Sequence, residues 1–270
     1  MNSAPDMSRI PGGCVSQEVF PELSGNPGAA LLRALDHKIY VRDLLTPASC
    51  QLLRAYFERQ GSFAPVTIQG MAPGGPVTAA TSELGSQRIT CWDPGFGEAL
   101  WPLIKPFLPA RRLMGAYSAT DWFDADAEGK GPHGHRYWAP VGVSPMARYM
   151  RYDQGGQHFT HYDAGYIYPG GLQRTLMSGV LYLTTNSTGA TRFIADGQNL
   201  VPVAMRRHQD WDHEVSDPEL VRDAYTPQMG SVLLFDHRLA HDVSKYEGGE
   251  GPRIIIRFDV IFEAIAPFSK

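Results

Sequence analysis

Residues 253–262 read Arg-Ile-Ile-Ile-Arg-Phe-Asp-Val-Ile-Phe, and the alternation along this stretch decides the fold. Ile254, Ile256, Phe258, Val260 and Phe262 are apolar at every even position. Successive side chains of a strand point to opposite faces, so these five form one stripe that can pack against helices. Arg253, Arg257 and Asp259 share the other face, where an unpaired charge is costly unless it meets a partner or an anionic ligand. A dicarboxylate is such a ligand, because the planar fork of Arg holds a carboxylate by two hydrogen bonds. An internal Arg257–Asp259 pair, or an Arg253–Glu pair, is the plainer alternative.

The same texture extends backwards as far as Met146, in short β-branched and aromatic runs separated by Gly, Pro and Asn clusters. Strands are expected near 146–152, 158–163, 174–184, 191–194, 200–205, 231–236 and 253–262, the pattern of a sandwich or barrel. Upstream, His37 to Arg42 suits a short strand, and Thr46 followed by Pro47 is a helix start. That helix should run to about Gln60, with Leu52, Leu53, Tyr56 and Phe57 on one face and Gly61 ending it. A second helix is expected around Phe96 to Phe107, where Phe96, Leu100, Trp101, Ile104 and Phe107 recur at helical spacing as core residues; Pro102 and Pro106 make it short or kinked. The run Gly70 to Gly85 carries too many Gly and Pro residues for a regular element and is long enough to form a lid. Helices first and strands later argue for an α+β domain in which helices brace one face of a sheet. Residues 1–35 read as a flexible or surface-packed tail, and 36–270 as one domain.

Hydrophobic residues make up 43% of the 270-residue chain and charged residues 19%, an ordinary globular mixture. A net charge of −4 gives no electrostatic case for nucleic acid. No apolar run approaches the roughly 20 residues needed to span a bilayer, and the N-terminus lacks a signal-peptide pattern, so a cytoplasmic protein without a membrane partner is expected. Cys14, Cys50 and Cys91 are far apart and show no zinc-binding spacing, which suggests reduced thiols.

His161-Tyr162-Asp163 falls in an expected strand, where residues i and i+2 share a face, so an imidazole and a carboxylate converge. A third ligand should come from a distant strand, and His237 and His241 are both available in the segment GSVLLFDHRLAH. Two His and one carboxylate occupy one face of an iron ion and leave positions open. A zinc-protease reading of the HRLAH segment fails, because Arg238 stands where the general-base Glu would be.

The order of further motifs resembles the prolyl 4-hydroxylase-like branch of the iron(II) and 2-oxoglutarate-dependent oxygenases, over roughly residues 37 to 262. ARYMRYDQGGQHFTHYD looks like the family's strand, Gly turn and His-x-Asp, and LQRTLMSGVLYLTT like its strand ending in Tyr-Leu. GATRF stands where the family has Gly-Gly-x-Thr-x-Phe, with Ala190 replacing the second Gly. GSVLLFDHRLAHDV resembles the segment ending in the distal His, and GPRIIIRFDVIF the family's Gly-x-Lys/Arg-x-x-x-Arg-x-Asp strand.

The resemblance implies a double-stranded β-helix, or jelly roll, with His161, Asp163 and His241 as catalytic iron ligands. His241 is preferred over His237 because it directly precedes the Asp-Val of the family pattern. It implies Arg253 as the cation for the far carboxylate of 2-oxoglutarate, lined by Tyr152, Tyr182 and Thr191, and dioxygen as the second co-substrate. The expected activity is hydroxylation of a C–H bond of a small molecule, amino-acid-like or a natural-product intermediate, with release of succinate and CO2. Arg148, His158, Tyr166, Trp138 and His135 are leads for substrate contacts. A protein-residue hydroxylase would share the same iron and co-substrate residues, and a non-catalytic jelly-roll binding protein would share only the fold.

Overall fold

The computed structural model describes residues 5–10, 12–35, 37–72, 75–80, 85–110, 112–114, 136–163, 165–195 and 218–265. In chain order the elements are β1 (Gly13–Val15), β2 (Ala30–Leu35), β3 (Lys38–Arg42), α1 (Pro47–Gln60), β4 (Ala64–Pro65), β5 (Thr67–Ala72), β6 (Gly75–Ala80), β7 (Ser86–Trp92) and α2 (Pro94–Ile104). They continue with β8 (Arg112–Met114), β9 (Arg136–Val143), β10 (Met146–Tyr152), β11 (His158–His161), β12 (Gln173–Tyr182), β13 (Thr191–Ile194), β14 (Val221–Tyr225), β15 (Val232–Asp236), β16 (His241–Val243) and β17 (Arg253–Ile265).

An 11-stranded sheet follows the order β1-β7-β10-β17-β12-β15-β3-β2, with β4 beside β7 and β9 joining β17 to β8. A 4-stranded sheet runs β11-β16-β13-β14. Pairing is antiparallel throughout the large sheet except between β1 and β7. Two strands of that sheet, β1 and β2, come from the first 35 residues.

The 13-residue β17 lies at the centre, and its alternation divides the interior as the sequence predicts. Ile254, Ile256, Phe258, Val260 and Phe262 pack in one cluster with Leu53, Tyr56 and Phe57 of α1 and Phe96, Leu100 and Ile104 of α2. On the opposite face Ile255 joins Met150, Tyr152, Val180, Tyr182 and Phe235 of the large sheet to Phe193, Tyr225 and Val243 of the small one. The helices therefore cover one side of the large sheet, and the small sheet covers the other.

Helix α1 starts as expected: the Thr46 side chain accepts a hydrogen bond from the Ser49 N–H, and Pro47 fills a position where no N–H is needed. Leu52, expected on its buried face, is exposed, and Ser49 and Cys50 are buried instead. At about 100° per residue the buried arc centres on positions 49, 53, 56 and 57, and Leu52 falls outside it. Helix α2 begins earlier than expected, with Asp93 as its cap, and its final turn tightens into a 3-10 turn at Lys105–Phe107. Phe96, Leu100 and Ile104 are fully buried.

The Gly- and Pro-rich run near residue 75 corrects its reading as irregular. Thr67–Ala72 and Gly75–Ala80 pair in register as an antiparallel ribbon. In a ribbon of two strands each has a free edge, so a Pro lacking its N–H can be accommodated. The strand expected at 200–205 lies outside the described residues. Among the described residues, no helix is long and apolar enough to cross a membrane.

One close approach at the sheet centre sets an expectation. Gly179 of β12 lies opposite Phe258 of β17, and a Cβ at Gly179 would sit 2.1 Å from the ring's Cζ atom. Phe258 is held in turn against Phe96, with ring centroids 6.0 Å apart. Gly179→Ala should therefore lower stability by about 1–3 kcal/mol, the usual cost of overpacking a core. Urea unfolding checks this; an unchanged midpoint would mean that the ring has room to move.

Candidate metal centre

Three side chains from different parts of the chain meet between the two sheets. His161 ends β11, Asp163 follows it by two residues, and His241 opens β16, the strand paired with β11. One ligand atom from each lies within 4.8 Å of the others, and this is a His-Asp-His group able to hold a metal ion. His161 Nε2 is 3.8 Å from one Asp163 carboxylate oxygen and His241 Nε2 is 3.6 Å from the other. The Nδ1 atoms of the two rings face backbone carbonyls, Phe159 O at 2.7 Å and Leu239 O at 2.9 Å. A ring that donates from Nδ1 to a carbonyl presents an unprotonated Nε2, the form a metal needs. Burial, and then the neighbouring His161, pushes the pKa of His241 down to about 3, which keeps its ring neutral.

The strand ends two residues sooner than expected, at His161, so Asp163 is not aimed by strand alternation. Hydrogen bonds aim it instead. Ser178 Oγ donates to one carboxylate oxygen, and Arg257 Nη2 lies 3.1 Å from the other. Burial would raise the Asp163 pKa, but Arg257 and the surrounding imidazoles outweigh it and hold the carboxyl well below its usual range. Arg257 also pairs with Asp259 at 2.9 and 3.0 Å, which is the internal pair weighed from the sequence. Asp259 accepts a further bond from Arg148 at 3.0 Å.

His237 does not join the group. It is fully buried, its Nε2 is 3.1 Å from Asp259 Oδ1, and its backbone N–H donates to Leu176 O.

Among the described residues Arg253 is the largest fully buried side chain, and it has no carboxylate partner there. Its Nη2 donates to Thr191 Oγ1 at 3.3 Å, while Nε and Nη1 are buried without a partner. The guanidinium lies 4.5 Å from the ring centroid of Tyr152 and 5.9 Å from that of Tyr182, whose hydroxyl donates to Thr191 at 3.0 Å. Arg253, Tyr152, Tyr182 and Thr191 are thus brought together. Gly189 has φ +75°, and a Cβ there would sit 2.9 Å from Cδ of Arg253, so the glycine leaves room for the arginine stem.

The sequence-based substrate leads divide. His158 stacks on His161 with centroids 4.3 Å apart, and Arg148 is bound to Asp259. Trp138 is in the helix-side core beneath Arg174, away from the metal group, and Tyr166 is exposed on the surface. His135 lies outside the described residues. Sequence reasoning missed Ser178, which steers Asp163, and Ser86, Arg88 and Thr90, which alternate along β7 and carry buried polar atoms without partners among the described residues. Polar residues at every second position of SQRITC, Ser86, Arg88 and Thr90, were the available signal for the latter three, blurred by the polar Gln87 between them.

No protein-family model matches the chain, and no curated protein sequence matches it. Solved structures with a similar course include a viral collagen prolyl hydroxylase from Paramecium Bursaria Chlorella virus-1 in complex with 2-oxoglutarate: 12% identical, covering 85% of this chain and 97% of that one, TM-score 0.41. A Pseudomonas putida prolyl-4-hydroxylase is 14% identical over 86% of this chain and 95% of its own, with a TM-score of 0.43. The epimerase SnoN, in complex with Fe3+, alpha ketoglutarate and nogalamycin RO, is 12% identical over 84% of this chain and 79% of its own, with a TM-score of 0.46. With all three TM-scores below 0.5, the functional reading stands on the side chains of the site.

Proposed function

We propose that this protein is an iron(II)- and 2-oxoglutarate-dependent dioxygenase, built on a double-stranded β-helix, that hydroxylates an unactivated C–H bond of a small molecule. The observation that carries this reading is a buried guanidinium with two idle nitrogens and no carboxylate partner among the described residues, on the face of the large sheet that carries a His-Asp-His group. A buried cation with two idle donors costs stability unless an anion meets it. The donor set suits the same pair of cofactors, since two imidazoles and one carboxylate leave positions of an iron ion open for an oxo-acid and dioxygen. The two facing sheets, with the site between them, support the jelly-roll assignment. Three free thiols fit a reducing, cytoplasmic location.

When bound, iron(II), 2-oxoglutarate and dioxygen would supply the oxidation that turns a C–H bond into C–OH, one oxygen atom of dioxygen entering the product and the other the succinate released with CO2. The chain's own residues bind, orient and exclude water. His161, Asp163 and His241 would hold the metal. Arg253 would take the far carboxylate of 2-oxoglutarate through its idle nitrogens, with the Thr191 hydroxyl as a neighbouring polar contact. Tyr152 and Tyr182 wall the guanidinium off from water, which strengthens each contact it makes. Arg257 and Ser178 keep the Asp163 carboxylate ionised and fixed, ready for the metal.

Replacing His161, Asp163 or His241 by Ala should remove iron-dependent succinate formation and stoichiometric metal uptake together. His237→Ala should retain the metal, because that ring serves Asp259. Metal analysis after desalting checks both; full uptake by His241→Ala would move the third ligand elsewhere.

Arg253→Ala should weaken 2-oxoglutarate by about 30- to 150-fold, the equivalent of the roughly 2–3 kcal/mol carried by a charge-assisted bidentate contact. Anaerobic titration of the iron-loaded variant measures this apart from turnover. An unchanged affinity would withdraw Arg253 from the co-substrate site.

A further inference from the structure

Strand β7 runs two places from β17 in the large sheet, with β10 between them. The registers place Ser86 opposite Tyr152 and so in line with Arg253, Arg88 opposite Met150 and in line with Ile255, and Thr90 opposite Arg148 and in line with Arg257. Register partners share a face, so Ser86, Arg88 and Thr90 stand on the side of the sheet that carries the metal centre. Ser86 Oγ, Arg88 Nε and Thr90 Oγ1 are all buried without a hydrogen-bond partner among the described residues. Arg88 makes no ion pair there, in contrast to Arg148 and Arg257, which share Asp259.

We propose that Arg88, flanked by Ser86 and Thr90, binds the carboxylate of a small, amino-acid-like primary substrate. This rests on the reading of the site given above, in which Arg253 already serves the co-substrate.

The charges on this face support an anion. Arg88, Arg148, Arg253 and Arg257 face only Asp163 and Asp259, which leaves the described lining cationic by two. The charges of an iron(II) ion and a 2-oxoglutarate dianion cancel, so the excess persists in the loaded site. Arg253 and Arg257 are buried and Arg88 and Arg148 half-buried, an excess of cations that favours a counter-charge, and a carboxylate matches the planar fork of one guanidinium with hydroxyl donors on either side. Burial first, then Arg148 and Arg257, pull the Arg88 pKa down to about 10, so it remains charged at neutral pH. Thr90 is in line with Arg257, whose guanidinium reaches Asp163, so the subsite lies on the metal group's side of the sheet. Two strand spacings, roughly 9–10 Å, separate the backbones of β7 and β17, enough for Arg88 to hold a molecule other than the one on Arg253.

The test uses the full chain loaded anaerobically with iron(II) and 2-oxoglutarate. The probes are a panel of L-amino acids, each paired with its primary amide, and the readouts are the thermal midpoint, the affinity by calorimetry and, in air, succinate release. At least one acid should raise the midpoint and stimulate succinate release where its amide does not. Arg88→Gln should weaken that acid by tenfold or more, leave the amide unaffected and change 2-oxoglutarate affinity by less than threefold. Arg88→Lys, which keeps the charge but not the fork, should recover part of the acid's affinity. The proposal is overturned if no acid outperforms its amide, or if Arg88→Gln keeps the preference. It is also overturned if Arg88→Gln weakens 2-oxoglutarate as much as the acid, because Arg88 would then belong to the co-substrate. A wild-type protein that binds no 2-oxoglutarate in the presence of iron would instead bring down the oxygenase reading itself.

Discussion

The contact between Arg257 and Asp163 ties the two sheets together at the point where the chemistry is placed. Arg257 comes from the middle of β17 in the large sheet, and Asp163 leaves the end of β11 in the small one. At 3.1 Å the gross attraction is about 5 kcal/mol at an effective dielectric near 20. Desolvating two charges costs several kcal/mol per ion, so the net gain is small. What the pair secures is position. With Ser178 on one oxygen and Arg257 on the other, Asp163 has little freedom to rotate, although it lies beyond the regular strand. Removing Arg257 would leave two buried carboxylates, Asp163 and Asp259, short of a cation, so the network acts as one unit.

Such a network can exist only because β17 keeps its two faces distinct. The apolar positions seal against α1 and α2, and this burial supplies the stability that a charged face cannot. The polar positions are then free to carry arginines with unlike fates. Arg257 meets two carboxylates through both terminal nitrogens and leaves only Nε idle, whereas Arg253 meets no carboxylate among the described residues and keeps two donors idle inside the protein. An unsatisfied buried donor costs about 1–3 kcal/mol, and more when charged. Natural interiors hold few such groups, and each calls for a physical reason, of which a ligand that completes the bonding is one.

Much of this was legible in the residue order. The alternation of 253–262 foretold which side chains meet the helices, while His161 and Asp163 stood out as an i, i+2 pair of an expected strand, and Arg253 as a charge on a face where it needs a partner or an anionic ligand. Thr46-Pro47 marked a helix start through local chemistry alone. Other features depend on partners distant in sequence. Ser178 looks like any small residue in an apolar strand until Asp163 is folded against it. Arg88 sits in SQRITC, where the polar Gln87 blurs the alternation and nothing local says which face meets the site; that depends on the pairing of β7 with β10. Leu52 was misplaced by one residue of helical arc, and the ribbon at 67–80 was hidden by a composition that marks turns in most settings.

The pair His237 and His241 shows why spacing alone left a choice open. Four residues apart on a helix, two histidines share a face and can hold one ion together. Here the intervening residues form a turn, which carries the chain from β15 of the large sheet to β16 of the small one. The two rings consequently belong to different layers. His237, next to the end of β15, is drawn to Asp259 at 3.1 Å. His241 lies opposite His161 in the register of β16 and β11, with ring centroids 4.2 Å apart, and Phe235 packs edge-on against it at 4.6 Å. One ring thus braces the anion that holds Arg257, which in turn holds Asp163, and the other faces the metal group directly. The same dipeptide spacing serves both roles because a sheet-to-sheet crossing, unlike a helix, separates residues that are close in sequence.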